Sequence, residues 1–443
     1  MGTMEQQGKR IFKWRRKFQP LVSIALIIVL ILGTNQSASA YSVLTHEEIV
    51  DLLWVDQIKP LLLEKYPSST PDQLLEAHAY AYGGSLIQDM GYYPFGNRQF
   101  SDLVHYVRSG DFVTALLDEA SDVNEYAFAL GALSHYAADL TGHPAVNKSV
   151  ALQFPELRAK YGLQVNFEEN PKAHIRTEFG FDVVQVARQR YTSDSYHDFI
   201  GFQVSKPVLE RAFLKTYGVE LKKIFFDLDL SIGSFRRSVS HIIPEMTRVA
   251  LATKEPQLIK ENPTFNKKKF LYNLKRAQYE HDFGKSYEKP GFGTQLLAFF
   301  FRLIPKVGPF KALAFKSPTA ETEALYMKSV NDTVDQYRVY LKQLQAREIA
   351  LPNRDFDTGK QTVAGEYQLT DHAYAKLLDK LVANKFAGVT PELQQDILHF
   401  YADDHRVITN KKDQAEWDKA LLNAAQLRLV DTKVIAVTSG SQP

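Results

Sequence analysis

Three potential metal ligands, His135, Asp139 and His143, follow one another at intervals of four in the stretch Gly131-Ala-Leu-Ser-His-Tyr-Ala-Ala-Asp-Leu-Thr-Gly-His143. On an α-helix this spacing stacks side chains one turn apart on a single face. Imidazole and carboxylate groups in such a row either ligate metal or form a hydrogen-bonded core set. The apolar surroundings favour metal, because a buried carboxylate is costly unless it is paired or bound to a cation. His135 and Asp139 can grip one ion together, as histidines one turn apart do in zinc hydrolases. His143 lies about 12 Å along the helix from His135, too far to share an ion with it at ligand distances near 2 Å. If all three bind metal, there is more than one ion.

Other residues repeat the same chemistry in weaker form. His174 and Glu178 are again four apart, in Pro171-Lys-Ala-His-Ile-Arg-Thr-Glu178, a spacing that suits either a shared metal or a hydrogen bond on a helix surface. Asp89 stands at the entrance of an aromatic-rich turn, Ile87 to Gly96, and His105 follows in Leu103-Val-His-Tyr106. Taken alone, Asp89 is equally a turn former and His105 equally a surface residue. His78 and Asp102 read as structural. His197, His241 and His281 have no clustered partners in the sequence.

The elements that must position these groups are helical by pattern. The chain has 443 residues, 45% hydrophobic and 23% charged, enough for a full core in one large or two medium domains. A net charge of +2 gives no global field of the kind that marks a nucleic-acid binder. There is no cysteine, so disulfides, thiolate zinc sites and a cysteine nucleophile are all excluded, and metal ligands must be His, carboxylate or main chain.

Residues 1–40 read as a signal peptide: basic residues from Lys9 to Lys17, an apolar run from Leu21 to Gly33, then Ala38-Ser-Ala40 for cleavage. The apolar run is short for an uncleaved membrane span. Cleavage after Ala40 makes Tyr41 the new terminus, with an α-amine whose pKa near 8 lets a zinc ion displace its proton; the amine and first carbonyl can chelate together. His46 then falls in the first turn of a helix, with Thr45 expected as its cap.

Further on, Pro71 to Tyr106 reads as helix, Gly-rich corner and helix, with Gly83-Gly84 allowing close approach to a neighbour, and Glu156 to Asn170 as a polar loop with some helix. A long helix is expected over Thr319 to Ala346, with more from Asp371 to Lys385, Pro391 to Asp403 and Lys412 to Leu427. Between Gly291 and Lys316, aromatic and apolar residues alternate with Arg302, Lys306, Lys311 and Lys316. That segment suits either a bilayer interface or a buried hairpin broken at Pro305 and Pro309. The acids Asp355 and Asp357 in the loop Leu351 to Glu366 lack calcium-loop spacing. We divide the chain as 1–40 signal peptide, 41–265 catalytic-type helical region and 266–443 helical extension.

Taken as a set, Tyr41 to Glu178 resembles the zinc-dependent phospholipase C family, all-α multi-helix bundles around a multinuclear zinc site, related to single-strand-specific zinc nucleases and to glycosylphosphatidylinositol-specific phospholipase D. The ligand order of that group is matched by Tyr41, His46, Asp89, His105, His135, Asp139, His143, His174 and Glu178. Tyr41 stands where the family usually has Trp, but only main-chain atoms of that residue bind. The short Thr-Gly-His143-Pro interval is similar to the phospholipase D branch. The resemblance implies two or three zinc ions: one on Asp89, His105, His135 and Asp139, a second on Tyr41, His46 and bridging Asp139, a third on His143, His174 and Glu178. It also implies a secreted or periplasmic phosphodiesterase acting on phospholipid through a metal-activated water, with Asp89 orienting that water. Two other readings share the ligand set: a nuclease acting on single-stranded nucleic acid, and a non-catalytic helical zinc protein.

Overall fold

A computed structural model describes residues 42–187, 201–243, 316–402 and 411–432. The signal segment, Tyr41, the expected boundary near 265 and the stretch from Gly291 to Phe315 lie outside the described residues. Among the described residues every regular element is helical, apart from one isolated antiparallel bridge between Arg354 and Gln361. The fold is all-α.

The spine is α6, Val123–Gln153, whose 31 residues span about 46 Å. Asp122 caps it by accepting the Glu125 N–H at 2.8 Å. Both faces of α6 are apolar, with buried Ala, Leu and Phe on all sides from Ala127 to Ala138, so the sequence requires neighbours all round. They are α1 (Val43–Leu53), α3 (Pro71–Ser85), α5 (Ser109–Glu119), α8 (Pro171–Ala187) and α11 (Ala320–Gln345). Two shorter helices, α2 (Lys59–Lys65) and α4 (Arg98–Tyr106), complete this part, with a 3-10 turn at Ile87–Tyr92. Helix α7 (Pro155–Tyr161) occupies part of the expected polar loop.

The close approach of α3 to α6 depends on glycine. A Cβ on Gly131 would sit 2.0 Å from the Ala81 carbonyl oxygen, and one on Gly84 would sit 1.9 Å from that of Phe128. Gly83 and Gly84 thus allow the expected close approach, although the chain does not turn at them. They lie inside α3, which ends at Ser85, and serve the helix contact. Thr45 is not a cap: α1 starts at Val43, and the Thr45 hydroxyl donates to Asp182 Oδ1 at 2.7 Å while the Leu44 N–H donates to its Oδ2 at 3.0 Å. Asp182, on α8, thus anchors the first turn of α1.

The later helices α9 (Lys206–Tyr217), α10 (Leu228–Arg237), α12 (Gln368–Ala383), α13 (Pro391–Phe400) and α14 (Lys411–Arg428) join the same apolar core. Helix α11 begins with a Thr319/Thr322 capping box and buries Tyr326, Val330, Tyr337 and Leu341. The Tyr337 hydroxyl donates to the Leu130 carbonyl at 2.8 Å, tying α11 to the middle of α6.

Pro144 lies inside α6, where it has no N–H to give the Leu140 carbonyl. The loop of residues 351–366 packs there, and Gly359 takes φ +69 beside Leu140. Because helix α6 cannot move away from α3 without uncovering this core, Gly131→Ala should cost on the order of 1–3 kcal/mol. Chemical denaturation checks this; a variant as stable as the parent would show that the helices can part at no cost.

Candidate metal centre

Eight of the nine residues picked out in the sequence lie within the described residues, and all eight are buried and converge on one interior. Asp139 is the hub. Its Oδ2 lies 3.1 Å from His135 Nε2, 3.4 Å from His105 Nε2 and 3.6 Å from His143 Nε2, and its Oδ1 lies 3.6 Å from His46 Nε2. Asp89 Oδ1 is 3.4 Å from the same His105 Nε2. His174 Nδ1 and Glu178 Oε1 are 2.5 Å apart, and His143 and His174 face each other with ring centroids 5.3 Å apart.

Local structure dictates how each ring points. The Nδ1–H of His105 donates to the Ser101 carbonyl, one turn earlier on α4, at 2.8 Å. The Nδ1–H of His135 donates to the Ser85 carbonyl, the last residue of α3, also at 2.8 Å. These bonds fix the tautomer and leave each Nε2 with its lone pair aimed at Asp139 Oδ2. His46 stacks on His135 with centroids 4.5 Å apart.

Among the described residues neither oxygen of Asp139, nor Nε2 of His105, His135 or His143, has a hydrogen-bond partner. Lone pairs facing one another in a dry interior repel unless a cation lies between them. The separations carry the same message: two ligands about 2 Å from a tetrahedral ion stand roughly 3.3 Å apart. The observed 3.1–3.6 Å distances match that spacing.

Electrostatics agree. Burial pushes the His105 pKa down, but Asp139 and Asp89 outweigh it and raise it to about 10. Burial, and then the neighbouring His135, lower His46 to about 3, leaving a neutral imidazole able to ligate. Against the cost of burial, His135 and the other rings hold Asp139 well below the usual carboxylate range. In the third group, burial and the charges of Asp89, Asp139 and Asp357 raise Glu178 well above its ordinary value. Burial, then His143, lowers His174. The interior thus demands positive charge, and a proton supplies it where no cation does.

The donor set sorts into clusters whose ligand atoms lie within 4.8 Å of one another: His46, Asp89 and His135; His105, His135 and Asp139; His143, His174 and Glu178. Nitrogen and oxygen donors of this kind suit zinc. A fourth group, His372, Asp413 and Glu416, is only half-buried and lies on α12 and α14. A cavity of about 380 Å³ bounded in part by Pro352, Arg354, Asp396 and His399 shares no lining residue with the centre.

One residue of the centre escaped sequence reasoning. Asp357, fully buried in the loop 351–366, places Oδ1 3.2 Å from His143 Nε2. The acids of this loop lack calcium-loop spacing, and no local pattern relates residue 357 to residue 143. His78 and Asp102, expected to be structural, stay outside the clusters: His78 Nε2 lies 2.9 Å from Asp51 Oδ1, and Arg98 donates to Asp102 at 3.3 Å.

An all-α fold wrapped around a buried constellation of histidines and carboxylates defines a class of metal-dependent hydrolases. Residues 45–227 match the model of the zinc-dependent phospholipase C family. No curated protein and no solved structure matches the chain significantly.

Removing metal would leave the Asp139 carboxylate and its facing imidazoles buried without compensation. Zinc at a thousandfold excess over its dissociation constant stabilises by about 4 kcal/mol per site. Thermal unfolding should therefore shift down by several degrees in a strong chelator and recover on adding zinc; an unchanged midpoint would mean the centre holds no ion.

Proposed function

We propose that the chain is a secreted zinc-dependent phosphodiesterase that hydrolyses phospholipid in the manner of a phospholipase C. The observation that carries this reading is the bridging posture of Asp139, one carboxylate oxygen toward His46 and the other toward His105 and His135. One ion is assigned to Asp89, His105, His135 and Asp139, a second to His46, Asp139 and the Tyr41 amine and carbonyl, and a third to the cluster of His143, His174 and Glu178. Zinc bound there would polarise a phosphodiester and make water nucleophilic near neutral pH.

The chain's own groups divide the remaining work. Asp89 takes the proton from the attacking water, and the Nδ1–H bonds of His105 and His135 to main-chain carbonyls hold their rings in place. The buried aromatic rings of Tyr92, Tyr106 and Phe356 around His105 keep bulk water from the centre. No side-chain nucleophile is needed.

Membrane contact through residues 291–316 belongs to this reading as well. Among the described residues no helix is long and apolar enough to cross a membrane. Secretion and the amino terminus are linked by chemistry: an amide nitrogen keeps its proton and ligates poorly, so the second site is complete only after cleavage at Ala40. Asp182 supports this arrangement, since it holds Leu44 and Thr45 and so seats the start of α1 with His46 beside Asp139.

The purified, processed chain should release phosphorylated head group from phosphatidylcholine micelles and leave single-stranded DNA intact; the reverse preference would replace the lipid reading with the nuclease one. Asp139→Asn should lower the rate by roughly 1000-fold and release more than one zinc. Undiminished turnover in that variant would refute the bridging role. A chain beginning Met-Tyr41, with the methionine retained, should lose zinc from the His46 site and most activity. Full activity in that form would remove Tyr41 from the ligand set while leaving the other eight residues standing.

A further inference from the structure

The loop of residues 351–366 lies beyond the stretch that matches the family, yet it enters the centre. Its main chain is fastened to the family region at several points. The Phe356 N–H donates to the His105 carbonyl at 3.2 Å, Tyr136 Oη donates to the Pro352 carbonyl at 2.6 Å, and Ser109 Oγ donates to the Arg354 carbonyl at 2.6 Å. Phe356, fully buried, packs edge-on against His105 and Tyr136. Within the loop, the Asp355 carboxylate accepts the Thr358 N–H at 2.8 Å and the Gly359 N–H donates to the Asp355 carbonyl at 2.9 Å, which closes a tight turn around Asp357.

The two oxygens of Asp357 are treated differently. Oδ2 accepts from the hydroxyls of Tyr106 and Tyr367, the former at 3.0 Å. Among the described residues Oδ1 has no hydrogen-bond partner; it is fully buried and faces His143 Nε2, also without one, at 3.2 Å. That distance is the ligand-to-ligand spacing of a tetrahedral ion, and two hydroxyls on the far oxygen are the outer support that ligating carboxylates receive. Asn147 ties the parts together: its Nδ2 donates to the Asp357 carbonyl at 2.9 Å and its Oδ1 accepts the Nε2–H of His174 at 2.8 Å, leaving His174 Nδ1 toward Glu178.

We propose that Asp357 is the fourth protein ligand of the zinc held by His143, His174 and Glu178, so that the C-terminal extension closes this site. The proposal rests on the metal assignment made above. Zinc held there by four protein groups would have fewer positions left for water or substrate than zinc at the two sites sharing Asp139. Bound at both His143 and Asp357, zinc would fasten the loop of residues 351–366 to α6.

The test uses the full processed chain, with zinc counted by elemental analysis after dialysis and its release followed with a chromogenic chelator. The parent should carry three ions. Asp357→Asn, isosteric but a poor ligand, should carry two, or release its third roughly 100-fold faster or more, with the other two unchanged. A variant that keeps three ions with an unaltered release rate overturns the proposal while leaving the zinc reading intact. A parent without zinc would overturn both. Asp357→Cys provides a second readout that does not depend on affinity or turnover, because the chain has no other cysteine. Loaded with cobalt(II), this variant should show a thiolate-to-cobalt charge-transfer band absent from the parent; a folded, cobalt-loaded protein without the band places residue 357 outside the coordination shell.

Discussion

The structure depends on one buried carboxylate. Asp139 sits at zero exposure with four imidazoles, those of His46, His105, His135 and His143, at 3.1–3.6 Å from its oxygens and, among the described residues, no hydrogen-bond donor to either oxygen. An isolated anion in such a place would cost many kcal/mol, so the fold is tenable only if positive charge is delivered there. The four rings come from α1, α4 and two turns of α6, and each of these helices must hold its position for the charge to be shared. The glycine contact that draws α3 against α6 is part of the same constraint, because it brings the Ser85 carbonyl to the His135 ring.

The supporting shell shows why so many elements are needed. Main-chain carbonyls at Ser85 and Ser101 orient two rings, Asn147 orients a third, and Asp182 anchors the turn that carries His46. None of these groups touches an expected ligand position directly on the metal side. Their effect is on direction: a ring turned by a few tens of degrees would aim its lone pair into carbon. For His135 the acceptor is the Ser85 carbonyl at the end of α3, and a hydrogen bond from Nδ1 to a carbonyl that the helix itself leaves free is a rigid way to prevent that.

The C-terminal helices are part of this enclosure. Tyr326 of α11 shares a 2.7 Å hydrogen bond with Thr45, and Tyr337 reaches the main chain of α6. Tyr367 and Asp357 bring the loop before α12 to the far side of His143. The extension therefore completes the polar interior of the family region as well as covering its apolar surface, which explains why α6 can be apolar all round without exposing core.

Much of this was legible in the chain. The His135, Asp139, His143 row and the His174, Glu178 pair obey helical spacing, so their common faces follow from the geometry of one helix each. The long helix after Thr319 and the three helices at the end were also expected from the sequence pattern. The close approach expected at Gly83-Gly84 is seen as well, since a Cβ on Gly84 would sit 1.9 Å from the Phe128 carbonyl oxygen of another helix, although the pair lies within α3 and the chain does not turn there. Thr45 read as a cap because its type and position suit one, yet its hydroxyl is taken by Asp182, residues distant by 137 positions. Asp357 could not be found at all, since only tertiary folding sets it 3.2 Å from His143. The sequence by itself determined which groups can bind metal and which of them share a helix face, because those follow from residue chemistry and a repeat of 3.6 residues. Only the tertiary structure decided which faces meet, because contacts between distant segments depend on how whole helices pack, and no local spacing encodes that.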